Sequence, residues 1–205
     1  MRGIKLEGSR PFASDTQVVQ QLAIALSAIN RITEAVARLR QLEALVPNDP
    51  ETKGILAGRF KRQWLKSCSS LPLGWRSHNL YKEAFESAIK GGDANQAFYN
   101  GINAAYLSFA LGGNDYTALA NEVLGICQGL EPPDYWAKAT CAEAYLLLGK
   151  YKEAAQAYEE AKRYEHRPRH WSSTGQQALN IINRQRNVPE AESIRAMFAT
   201  INPDI

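Results

Sequence analysis

The chain has 205 residues, 45% of them hydrophobic and 22% charged, which is ordinary globular composition and long enough for one core or one continuous stack. Its net charge of +3 is too small to argue by itself for nucleic acid or an anionic membrane. No apolar run approaches the about 18 residues of a membrane span, and the start lacks the apolar centre of a secretory signal.

Residues 1–13 are expected to form a leader without a fold role, and 14–205 a single helical domain. Strand signals are nearly absent, because apolar residues recur at three and four rather than at two. The first helix opens with Ser14 or Asp15 as its cap, with Val18, Val19, Leu22, Ala23 and Leu26 as its apolar stripe. Asn30 and Arg31 break it. A second helix follows with Thr33 as cap and Ala35 at the close contact, and Pro47 ends the first pair, predicted over 14–47.

Asp49-Pro50-Glu51 starts the second pair, over 49–90, as a cap followed by proline in the first turn. Gly58 is the small residue of its first helix. The stretch Cys68–Gly74 is expected to be an inserted loop before a helix at Arg76–Ile89. The third pair, over 93–129, starts near Asp93, with Ala105 as its small residue. The fourth, over 133–165, has Ala142 at the close contact, Gly149 at the break, and Tyr145, Tyr151 and Tyr158 as bulky packing. The fifth, over 170–201, is more polar and less regular, with Ala178 as its small residue and Pro189 in the first turn of its second helix, as suits a capping unit.

The small residues Ala23, Gly58, Ala105, Ala142 and Ala178 are spaced by 35, 47, 37 and 36. Three spacings lie close to the about 34-residue period of tetratricopeptide repeats, and five pairs exceed the roughly three needed for a stable stack. The expected fold is therefore all-α, a right-handed α-solenoid of about five tetratricopeptide-like helix pairs. An irregular helical bundle shares the helix count but predicts no fixed spacing of small residues.

Four phrases go further: DPETKGILAGRFKRQWL at Asp49–Leu65, LYKEAFE at Leu80–Glu86, FYNGINAAYLSFALG at Phe98–Gly112 and DYWAKATCAEAYLLLGKYKEA at Asp134–Ala154. Together they resemble the TRAF-binding, tetratricopeptide-like regulatory region of the apoptosis signal-regulating kinases and its bacterial relatives. The resemblance implies a non-catalytic adaptor or regulatory module that binds a segment of another protein. Bacterial relatives often stand beside signalling or defence effector domains, and no such domain is visible here.

Candidate residues follow from the pattern. In tetratricopeptide folds first helices line the concave face, so Arg59 and Arg62, three apart, are expected to point inward beside their close-contact glycine. The equivalent places are Tyr106 and Phe109 in the third pair, and Glu143 and Leu146 in the fourth. Tyr99 and Trp136 stand near the starts of their helices, and Asn103 is polar in an otherwise apolar helix. Arg59, Arg62, Tyr99, Asn103, Tyr106, Trp136 and Glu143 are therefore the predicted partner-binding residues, suited to a peptide with acidic and apolar groups. The plainer alternative makes the aromatics core and the arginines solvated.

Other residues carry less. Cys68, Cys127 and Cys141 are an odd, sparse set, which reads as reduced thiols in a cytoplasmic protein. Cys141 lies inside a helix without a base nearby in sequence and reads as a small buried thiol, whereas Cys68 reads as the exposed one. His166 and His170 lack zinc-ligand spacing. Lys162, Arg163, Arg167 and Arg169 read as a solvated helix end or as a site for an acidic partner or phosphate. No Gly-rich nucleotide loop and no complete acid–base or nucleophile set is present, so neither cofactor, metal nor catalysis is expected. The rival reading is a nucleic-acid-binding helical repeat, against which the charge shows no regular basic stripe. Exposed stack ends leave a homo-oligomer open.

Overall fold

The computed structural model describes residues 15–67, 70–185 and 188–201. The expected leader and Cys68 lie outside the described residues. Those described form α-helices and no strand. They are α1 (Thr16–Ala28), α2 (Ile32–Leu45), α3 (Pro50–Ser67), α4 (Leu71–Gly91), α5 (Ala94–Leu111), α6 (Tyr116–Gln128), α7 (Tyr135–Leu147), α8 (Tyr151–Lys162), α9 (Pro168–Gln185) and α10 (Glu192–Met197).

Aspartates start four of the first helices. Asp15, Asp49, Asp93 and Asp134 each accept a hydrogen bond from the backbone N–H three residues on, at 2.7–3.2 Å. This satisfies a donor that the helix itself cannot use. The turns inside three pairs share one device. Asn30, Gly112 and Gly149 adopt left-handed backbone, with φ of 63°, 77° and 72°. The residue after each donates back to a carbonyl five residues earlier, as Lys150 does to Tyr145 at 2.9 Å.

Consecutive helices pack from α1 through α8, α9 packs on α10, and each first helix also meets the next: α1 with α3, α3 with α5, α5 with α7, and α7 with α9. The fold is thus an all-α helical-repeat solenoid. Ala23, Ala105, Ala142 and Ala178 are fully buried at these contacts. The curvature is tight enough for α9 to approach both α5 and α3.

Several local expectations change. The stretch from Leu71 to Gly74 is the start of α4 rather than a loop. Pro72 is tolerated in the first turn, and Gly74 is there for packing: a Cβ on it would stand 2.6 Å from Leu111 and 3.2 Å from the Trp64 indole nitrogen. On α3 Ala57 is fully buried, and Gly54 makes the close approach to α5, where a Cβ would meet Asn100 at 2.4 Å. Gly58 instead faces Tyr81 of α4.

In α1, Val18 and Leu22 are exposed, and the buried face is Val19, Gln20, Ala23, Leu26 and Ser27. The reason is that, among the described residues, α1 packs chiefly on α2 and α3. Thr33 lies inside α2, whose cap position is Arg31. The turn at Asn30 is so short that Arg31 N–H already bonds Leu26. The fifth pair ends in a 3-10 turn at Pro189–Ala191 and the six-residue α10, shorter than its sequence suggested.

Candidate functional site

The inner face is built by α3, α5, α7 and α9. On α3, Lys61 follows Ala57 by one turn and precedes Trp64 by one turn, so it shares their inward face. On α5, Asn103 and Tyr106 are three apart and face the same way. Glu143 comes from α7 and Gln177 from α9.

These side chains form one polar network. The Lys61 ammonium donates to Asn103 Oδ1 at 2.7 Å and to Gln177 Oε1, and lies 4.7 Å from the centre of the Tyr106 ring. The Gln177 amide donates to Glu143 Oε2 at 2.8 Å. Asn103 donates to the Tyr99 carbonyl one turn back at 2.8 Å. The Lys61–Gln177 contact joins residues 116 apart in sequence and ties the second pair to the fifth. Nearby, the Arg184 guanidinium of α9 stands 5.5 Å above the Trp64 ring of α3.

Burial sets the charges. It raises the Glu143 carboxyl above its ordinary range, against the pull of Lys61 and the Gln177 hydrogen bond. It lowers the Lys61 ammonium, against the attraction of Glu143 and with the repulsion of Arg62 added. Each group thus favours the charged form of the other, against burial.

Arg59, Tyr106 and Glu143, equivalent by repeat position, are all buried, with exposures of 8%, 0% and 8%. They are packed rather than lining an open trough. Arg59 donates from Nε to the Ile55 carbonyl at 3.4 Å, and burial, then Arg62, lowers its pKa. Arg62 itself is exposed. Tyr99 and Trp136 remain open to solvent, at 46% and 39%. Tyr99 packs edge-on to Tyr81 at 6.3 Å.

Trp136 belongs to an aromatic group at the junction of α7 and α9. Its ring lies 4.8 Å from His170 and 5.1 Å from Tyr135. Tyr135 stacks on His166 at 4.8 Å, and its hydroxyl meets Thr174 Oγ1 at 2.9 Å. Burial pushes the Tyr135 phenol up to about 12, partly offset by Thr174. His166 and His170 therefore serve as ring partners. Of the basic cluster, Lys162 lies 5.8 Å from the Trp171 ring. Among the described residues no group of three or more His, Cys, Asp or Glu stands ready for a metal, and no helix is long and apolar enough to cross a membrane.

The structure thus brings Asn103, Tyr106 and Glu143 into one network, puts Arg59 beside Tyr99, and sets Trp136 apart against α9. Sequence reasoning missed Lys61 and Gln177, which hold that network together. For Lys61 a signal existed in its spacing from Ala57 and Trp64. For Gln177, one of two adjacent glutamines, no signal existed.

Residues 5–108 match the family of Tetratricopeptide Repeats-Sensor proteins, TPR-S. The chain belongs to this family. The match covers the first two pairs and most of α5, including the Gly101–Ala105 phrase. No curated protein matches the chain. Tetratricopeptide-type repeats are protein-interaction modules, and the TPR-S assignment together with the stacked helix pairs places this chain in that class.

Proposed function

We propose that this TPR-S protein is a non-catalytic adaptor or regulatory subunit that holds a segment of another protein along its first-helix face. The observation that carries this is the placement of Tyr99 and Trp136. They lie 37 residues apart, the same spacing as Ala105 and Ala142, so they occupy one repeat position on successive first helices. Both stay open to solvent in a fold that buries most of its large apolar side chains. Repeated, rigid, solvent-facing aromatics are what a partner-binding row requires.

Exposed Arg62, beside buried Arg59, adds a cationic contact for acidic groups on the partner. Asn103, Tyr106 and Glu143 act beneath this row, where the Lys61 network keeps α3, α5, α7 and α9 in register. The family's designation as a sensor, and the resemblance to kinase regulatory regions and bacterial signalling proteins, support a regulatory setting in a bacterial signalling or defence system.

The test is quantitative affinity capture from lysate by the parent chain, by Arg62→Glu and by Trp136→Ala, read by mass spectrometry. A partner lost from both variants supports the reading. Equal capture by all three refutes it. Captured nucleic acid whose binding falls steeply with salt, whatever its sequence, would favour a nucleic-acid-binding repeat instead.

A further inference from the structure

Cys127 lies in the last turn of α6 and Cys141 in the middle of α7. Neither is disulfide-bonded, and both are buried. Both residues line the same cavity, about 670 Å³ in volume, together with Lys138, Gln128 and the turn at Glu131–Pro133. Most buried cysteines pack into apolar surroundings with no route for a reagent. This pair has a route, and a cation beside it.

Lys138 stands one turn before Cys141 on α7, held at 2.9 Å by Glu160 of α8. The neighbouring Cys127 thiol and then the Lys138 charge carry the Cys141 thiol below its ordinary range, although burial opposes them. The neighbouring Cys141 and burial push Cys127 up. The environment thus favours Cys141, beside the cation, as the nucleophile and Cys127 as the resolving partner.

We propose that Cys127 and Cys141 form a peroxide-reactive dithiol site, in which a hydroperoxide entering the cavity oxidises Cys141 and Cys127 closes an intramolecular disulfide. The Cys141 thiolate attacks one oxygen of the O–O bond, which breaks. The other oxygen leaves as alkoxide or hydroxide and takes a proton from solvent. Cys141 is then a sulfenic acid. The Cys127 sulfur attacks the Cys141 sulfur, the S–O bond breaks, and the oxygen leaves as water with the Cys127 proton. Two thiols give two electrons to one hydroperoxide, yielding an alcohol or water, one further water and the disulfide. Excess small-molecule thiol reverses the bond by exchange. The new bond joins the third helix pair to the fourth, so oxidation pins one joint of the solenoid.

The experiment treats reduced full-length protein with an equimolar amount of hydrogen peroxide, blocks remaining thiols with N-ethylmaleimide and digests with trypsin. Trypsin cuts after Lys138, so Cys127 and Cys141 fall on separate peptides. The expected product is the linked pair, two mass units lighter than the two reduced peptides, in a yield unchanged by dilution of the protein. Cys127→Ser is expected to stop at a sulfenic acid on Cys141 that dimedone traps. Lys138→Gln is expected to slow oxidation about threefold or more. The proposal is overturned if Cys127 and Cys141 are both alkylated while glutathione in the same tube is oxidised. It is equally overturned if the disulfide formed joins either cysteine to Cys68, or if dimedone labels Cys127 in the parent chain.

Discussion

Lys61 should be the residue on which the inner face depends most, and replacing it with methionine separates its charge from its packing. Lys61→Met keeps the unbranched stem but removes the hydrogen bonds to Asn103 and Gln177, the cation over Tyr106, and the positive charge that offsets Glu143. A buried carboxylate deprived of its cation costs on the order of 3 kcal/mol while it stays ionised. Glu143 has an escape, because it can take up a proton. Its folded-state pKa, raised by burial to about 7 from 4.5, lies above the unfolded value, so the folded chain holds that proton more tightly. The stability this contributes is fully present below the unfolded value of 4.5 and is lost as pH rises through the folded value of about 7.

In Lys61→Met the raised value moves higher still, since the cation that pulled it down is gone. The variant is therefore expected to lose about 1 kcal/mol near pH 6, for the hydrogen bonds and the ring contact. Near pH 7.5, where Glu143 of the parent ionises and that of the variant is held protonated, the loss should rise to about 2 kcal/mol. Urea unfolding followed by far-UV circular dichroism at the two pH values measures both. Adding Glu143→Gln to Lys61→Met should bring stability near pH 7.5 back to within about 1 kcal/mol of the parent, because the neutral amide still meets Gln177. A pH-independent loss, or a double variant no better than the single one, would refute the linkage between the two charges.

Three further outcomes follow from single contacts. Gly101→Ala should lower stability by about 1–2 kcal/mol in a thermal melt. A Cβ there would stand 2.5 Å from Val123 and 2.8 Å from the Phe85 ring, and a helix-propensity gain of about 1 kcal/mol offsets only part of the overpacking. Asp115→Asn should flatten the acid limb of the stability curve, measured by unfolding across acidic pH. Burial raises the Asp115 carboxyl, but hydrogen bonds from Lys82 at 2.8 Å and from Ser108 carry it below 3.8, so the stability it contributes is present above that value and lost as pH falls through the lowered one. Thr174→Val should cost about 1–2 kcal/mol by leaving the buried Tyr135 hydroxyl without its partner, and Tyr135→Phe on that background should recover much of the loss.

The helices and their pairing were legible in the chain because their signals are local. An aspartate three residues ahead of a free backbone N–H, an asparagine or glycine at a left-handed turn, and an alanine at each close contact act within one turn of helix. Asp93, Gly149 and Ala142 do in the fold what their spacing announces. The Gly74 and Leu22 readings failed for one shared reason. A helical glycine or an apolar stripe has meaning only against its neighbours, Leu111 in one case and, among the described residues, α2 and α3 in the other.

The candidate site was half legible. Repeat position made Arg59, Tyr106 and Glu143 equivalent, and all three are buried, while Tyr99 and Trp136 stand at equivalent, solvent-facing places. Only the tertiary structure could show that the buried three are packed, that Lys61 reaches Gln177 across the stack, and that Cys127 and Cys141 share one cavity. Those contacts depend on how sharply successive pairs curve. Curvature accumulates from small rotations between repeats, and no local spacing of residues records their sum.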